Sequence, residues 1–229
     1  MKLIILNHKS YLRIKELEKY KKEIEKLKTG ANIVLFPNIL YLSTFKDTKL
    51  NIGSQNFYSY NYGSYTGEIS LASLKELNIT YTLIGHPERI ILHLDTYEQI
   101  KDKLYKSLNS NFKTILCIGS TNNLKMIKKE LKYYLKGIEE KSLDNLILAY
   151  EPIDKIENSE VNLEEITLVI NYIKSYTKKH LNKEIPVIYG GSVDKGNIKE
   201  ILSLTDGVLI GKISTDINIT KEIIKSLEN

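Results

Sequence analysis

Five polar clusters in this 229-residue chain each follow directly on a short apolar run. They are Asn7-His8-Lys9, Gly85-His86-Pro87-Glu88-Arg89, Glu151-Pro152, Gly190-Gly191-Ser192 and Gly211-Lys212. Together they offer a carboxylate able to move a proton, a histidine and amines able to steady a developing oxyanion, and glycines whose bare backbone can approach a phosphate. That set suits proton transfer beside a carbonyl on a small anionic substrate. Each residue also has a plainer reading: a lone histidine is more often a satisfied polar group, and a glutamate before proline can be a surface carboxylate. What favours chemistry is the shared position, since a charge directly after an apolar strand faces the rim of a sheet.

The elements that must bring these clusters together are eight short apolar runs, at residues 2–6, 32–36, 50–54, 81–84, 113–118, 146–150, 186–189 and 207–210. Each is followed by enough chain to return to the start of the next. Ile14, Leu17, Ile24 and Leu27 form an apolar stripe at helical spacing after the first run, as do Leu124, Ile127, Leu131 and Leu135 after the fifth. Near-continuous apolar strands with helical crossovers demand a parallel sheet covered on its outer face, and eight such units close it into a barrel. The expected fold is therefore α/β, a closed parallel (β/α)8 barrel, with an open doubly wound sheet as the alternative. No linker or repeat interrupts the alternation, so residues 1–229 read as one domain. In such a barrel the reactive groups gather where strands end.

Composition narrows the partners. The net charge is +5, but lysines alternate with glutamates in stretches such as residues 15–28, the pattern of a solvated helix face. No basic and aromatic stripe suggests nucleic acid. No apolar run is long enough for a membrane span or a signal peptide. Cys117 is the only cysteine, which excludes an intrachain disulfide and points to a reducing, cytoplasmic location. It reads as a small buried residue, because an apolar strand is a poor place to lower a thiol's pKa. Only Arg13 and Arg89 occur among 33 basic residues, which singles out Arg89 as a place where a rigid bidentate fork matters. By strand alternation His8 faces away from its neighbours Asn7 and Lys9.

Seven ordered patterns carry a resemblance: Asn7-His8-Lys9, Ser54-Gln55-Asn56, Tyr65-Thr66-Gly67-Glu68-Ile69-Ser70, Gly85-His86-Pro87-Glu88-Arg89, Cys117-Ile118-Gly119, Ala149-Tyr150-Glu151-Pro152 and Tyr189-Gly190-Gly191-Ser192-Val193. Spread over essentially the whole chain, they resemble the triosephosphate isomerase family. The resemblance implies the TIM barrel and the interconversion of dihydroxyacetone phosphate and glyceraldehyde 3-phosphate through an enediolate, with no metal and no organic cofactor. It implies Glu151 as the base, His86 as the neutral electrophile, Asn7 and Lys9 as donors to substrate, and Glu88 as the carboxylate that organises Lys9. It further implies a phosphate site at Asn7, Lys9, Glu157, Gly190, Gly191, Ser192, Gly211 and Lys212, and an ion pair between Arg89 and Glu68. The loop Tyr62-Gly63-Ser64-Tyr65-Thr66 resembles the segment that docks into a second subunit, so a homodimer is expected.

The sequence departs from the family at the phosphate lid. Ile153-Asp154-Lys155-Ile156-Glu157-Asn158-Ser159-Glu160 keeps the length but not the usual glycine tip, and Glu157 stands where an amide-donating glycine belongs. A carboxylate about 5 Å from a phosphate at an effective dielectric near 20 costs on the order of 3 kcal/mol, so Glu157 is expected to turn to solvent. Lys212 replaces the second glycine after the eighth strand, Pro87 replaces a serine, and Ser120 replaces a glutamate. Two alternatives stay open on these grounds: an isomerase of the same mechanism for another small sugar phosphate, such as a four-carbon one, and a phosphate-binding barrel with weak catalysis.

Overall fold

The computed structural model describes residues 2–119, 122–152 and 161–227. Its strands are β1 (Leu3–Asn7), β2 (Asn32–Phe36), β3 (Asn51–Ser54), β4 (Tyr81–Ile84), β5 (Lys113–Ile118), β6 (Leu146–Tyr150), β7 (Val187–Tyr189) and β8 (Gly207–Ile210). All neighbours pair in parallel, and β1 also pairs β8 with Leu3 opposite Gly207, which closes the barrel. The expected eight runs thus form the expected eight strands, to within a residue or two at their ends.

The α-helices are α1 (Ile14–Ile24), α2 (Leu71–Glu76), α3 (Pro87–Ile91), α4 (Tyr97–Asn109), α5 (Leu124–Leu135), α6 (Leu163–Leu181), α7 (Ile198–Leu204) and α8 (Ile217–Ser226). The return from β2 to β3 is a 3-10 helix, Ile39–Phe45, capped by the Asn38 side chain on the Leu40 amide. Side-chain caps start several helices: Thr96 and Gln99 form a reciprocal capping box on α4, and Asp216 caps α8. The first stripe is only partly right. Leu17 and Ile24 are buried, but Ile14 opens α1 and is exposed, Leu27 lies beyond the helix end, and Tyr20 fills the gap.

The period of two along each strand splits the core into two layers. Leu3, Ile5, Val34, Phe36, Tyr81, Leu83, Ile115, Cys117, Ala149, Ile188 and Leu209 fill the barrel interior. Their strand neighbours, such as Ile4, Leu6, Leu116, Leu148 and Val208, pack outward against the helices. The same alternation carries the interior rows Leu3-Ile5 and Ile147-Ala149 upward to Asn7 and Glu151, so strand pleating delivers these two side chains to one mouth. No helix among the described residues is long and apolar enough to cross a membrane.

Candidate active site

Glu151 is 1% exposed and follows β6, with its amide bonded to the Ile118 carbonyl at 3.0 Å. Neither carboxylate oxygen has a hydrogen-bond partner of normal geometry among the described residues. Burial raises its pKa to about 8, against the opposing pull of the Lys9 ammonium and the Cys117 thiol. Space for the side chain comes from Gly190, where a Cβ would lie 2.5 Å from Glu151 Cγ.

His86 reaches the same mouth by a different device. Continued alternation from Leu83 inward and Ile84 outward would send residue 86 out of the barrel. Gly85, at φ +71°, breaks that rhythm in a backbone region that glycine enters freely. His86 then caps α3: its Nδ1 accepts the Glu88 amide at 3.3 Å, so the ring proton sits on Nε2. Nε2 lies 3.4 Å from Glu151 Oε2. Burial holds the imidazole pKa well below its ordinary value, with Glu88 opposing and the nearby cations of Lys9 and Arg89 assisting, so the ring is neutral.

Lys9 turns at φ +49°, a left-handed conformation that costs an L residue roughly 1–2 kcal/mol. Its amide donates to Asn7 Oδ1 at 3.1 Å, and its carbonyl accepts Gln55 Nε2 at 2.8 Å. The ammonium pairs with Glu88 Oε1 at 2.5 Å, and the side chain crosses Gly211, whose added Cβ would be 3.5 Å from Lys9 Cε. Asn7, Lys9, His86, Glu88 and Glu151 therefore converge, and Gly190 and Gly211 border them.

The other named residues lie around this group. Gly191 and Ser192 continue the β7 turn, and the Ser192 carbonyl accepts Asn197 Nδ2 at 3.0 Å. A Cβ at Gly191 would meet the Tyr189 hydroxyl. Lys212 is exposed, its Nζ 5.8 Å from the Tyr11 ring centroid. Glu157, with the lid at 153–160, and Ser120 lie outside the described residues. No cluster suited to a metal ion occurs among the described residues.

Two side chains behave as alternation and burial require. His8 is buried edge-on against Tyr20 at 4.4 Å between ring centroids, on the helix side of β1. Cys117 is buried in the interior layer, and burial, then the neighbouring Glu151, push its thiol well above the ordinary value.

The ion pair of Arg89 is a correction. Its partner is Asp95, with Nε to Oδ2 at 2.5 Å, and not Glu68, which is exposed on the loop before α2. Asp95 follows α3 closely and folds under it, and its carboxylate also takes the buried Lys103 ammonium of α4. Lys103 in turn donates to Asn56 Oδ1 at 2.8 Å. Sequence reasoning missed Asp95, Lys103 and the clamp by Gln55. The scarcity of arginine pointed at Arg89 but not at its partner, and Gln55 follows β3 directly, where the strand-end rule applied to it would have found it.

Comparison with known proteins agrees with this geometry. The family model described as triosephosphate isomerase matches residues 2–227. A triosephosphate isomerase of Helicobacter acinonychis is 35% identical over 237 residues, covering 99% of this chain and 99% of that one. One of Dictyoglomus thermophilum is 33% identical over 247 residues, covering 98% and 99%.

Proposed function

Because this chain belongs to the triosephosphate isomerase family, we propose that it interconverts dihydroxyacetone phosphate and D-glyceraldehyde 3-phosphate, with Glu151 as base and His86 as electrophile. The observation that carries the roles is the 3.4 Å approach of His86 Nε2 to the buried Glu151 carboxylate. As the carboxylate, Glu151 takes the proton from the hydroxymethyl carbon of the ketone. The electron pair moves toward the carbonyl oxygen, where the Nε2–H of neutral His86 donates. His86 passes the hydroxyl proton from the first oxygen to the second, giving its Nε2 proton to one and taking that of the other, and Glu151 returns its proton to the adjacent carbon, which gives the aldehyde. A neutral imidazole matches the acidity of an enediol better than a cation would, and one such donor is worth roughly 3 kcal/mol at the transition state. A neutral imidazole electrophile is the established pattern of this enzyme class, carried here to His86.

Lys9, oriented by Glu88, supplies positive charge beside the oxygens, and Asn7 holds the Lys9 turn. The phosphate site is read at the turns of Gly190, Gly191 and Ser192 and of Gly211 and Lys212. Purified protein is expected to turn over glyceraldehyde 3-phosphate in a coupled assay, and Glu151→Gln to abolish this. Absence of turnover by the native chain would reject the reading.

The reading extends to one domain acting as a homodimer in the cytoplasm, the last supported by the single buried thiol of Cys117. The loop Tyr62-Gly63-Ser64-Tyr65-Thr66 projects exposed tyrosines, with Tyr62 74% exposed. Beside it opens a groove of about 500 Å³ lined by Lys9, Gln55, Glu68, Arg89, Leu92 and Leu94. A second copy of the loop suits that groove, with Thr66 near the partner's Lys9 turn. Sedimentation at micromolar concentration is expected to give a dimer, and a monomer would contradict it.

A further inference from the structure

We infer that Gln55 is a positioning residue for the reaction: its side-chain amide holds Lys9 in the left-handed turn that aims the ammonium at the mouth. This rests on the reading of Lys9 as a substrate-contacting group.

A non-glycine residue at φ +49° persists only where its surroundings over-determine it. Gln55 Nε2 donates to the Lys9 carbonyl at 2.8 Å and to the Phe36 carbonyl at 2.9 Å. An amide nitrogen has two hydrogens, and both find acceptors here. Flipping the amide would set its oxygen against two carbonyls, so its orientation is fixed. The Phe36 carbonyl also accepts the His8 amide at 3.0 Å. One side chain after β3 thereby ties the ends of β1 and β2 on either side of Lys9.

Gln55 is itself held. Ser54 Oγ donates to the Asn56 carbonyl at 2.5 Å, and the buried Lys103 ammonium donates to Asn56 Oδ1. A rotation at the Lys9 backbone swings its long side chain off the path across Gly211 to Glu88. Glu88 can attract the ammonium but cannot set the direction from which it arrives. That direction belongs to Gln55 and Asn7.

The test is a double-mutant cycle. Gln55→Met, similar in size but without donors, should lower kcat/KM at least about tenfold while the protein still melts cooperatively. In a Lys9→Ala background the same change should leave residual turnover and the affinity for 2-phosphoglycolate unchanged within about twofold, because the group it positions is gone. An equal fold loss in both backgrounds would assign Gln55 a general structural role and overturn the inference. So would native kcat/KM in Gln55→Met. If Gln55→Met does not fold, Gln55→Glu, which keeps the shape but sets an oxygen against both carbonyls, is read through the same cycle. A native chain without turnover defeats the isomerase reading itself, whereas native turnover with an indifferent Gln55 defeats this assignment alone.

Discussion

Gly190 and Glu151 contend for one volume: the hydrogen of the glycine leaves room that a Cβ would take, 2.5 Å from Glu151 Cγ and 2.6 Å from Oε1. Gly190→Ala must therefore displace the base. A shift of about 1 Å in a proton-transferring group costs on the order of a hundredfold in rate. Steady-state assays should find kcat down by about that factor with little change in melting, and a native kcat would contradict the geometry.

The buried carboxyl sets the pH profile. Burial raises the Glu151 pKa to about 8, which moves the acid limb of the profile up from the ordinary carboxylate range. After correction for ionisation of the substrate phosphate near pH 6, kcat/KM should fall about tenfold per unit below pH 8. A limb near the ordinary carboxylate value would show that Glu151 is better solvated than its burial implies.

The same raised pKa has a stability consequence with a definite sign. Between 4.5 and about 8 the folded chain keeps a proton that the unfolded chain has released. The stabilisation is complete below the unfolded value and is lost as pH rises through the folded one. Glu151→Gln cannot ionise, so it should melt higher than the native protein at pH 9, by at least about 5 °C. Near pH 4.5 the two should melt together.

His8 titrates in the opposite sense. Burial lowers its pKa to about 4, so from pH 6.5 down to 4 the unfolded chain binds a proton that the fold refuses. The native protein should lose about 3 kcal/mol over that interval from this group. Denaturant unfolding at pH 7.5 and pH 4.5 should show a smaller acid loss in His8→Phe. Equal losses would mean that the imidazole accepts its proton in place.

Asp95 joins Arg89 of α3 to Lys103 of α4, and the side chains of Asp95 and Lys103 are buried. Removing the carboxylate leaves one buried ammonium and one half-buried guanidinium unpaired, at a cost of about 3–5 kcal/mol. Asp95→Ala should melt about 10 °C lower by calorimetry. A change within 2 °C, roughly the effect of an exposed pair, would show the network to be well hydrated.

The barrel and its central residues were legible because two periodic rules act together: apolar runs mark the strands, and the residue after each run stands at the rim. Glu151 is found by nothing more than its place after Tyr150. His86 needed the family resemblance, because strict alternation would have sent it outward and only Gly85 turns it in. Arg89 could be singled out but not paired, since choosing between Glu68 and Asp95 depends on how tightly the chain bends after α3. The place of Gln55 directly after β3 was there to be read, but its partners are backbone atoms of Lys9 and Phe36, which leave no trace in side-chain patterns. The contact between the buried rings of Tyr20 and His8 was hidden for a similar reason: packing across layers is set by depth as well as by spacing.

The pairing of β1 with β8 makes the first strand lean on the last. Lys9 departs from one and passes over Gly211 beyond the other, so closure of the sheet sets the surroundings of the ammonium. The mouth is thus complete only where the sheet becomes a ring.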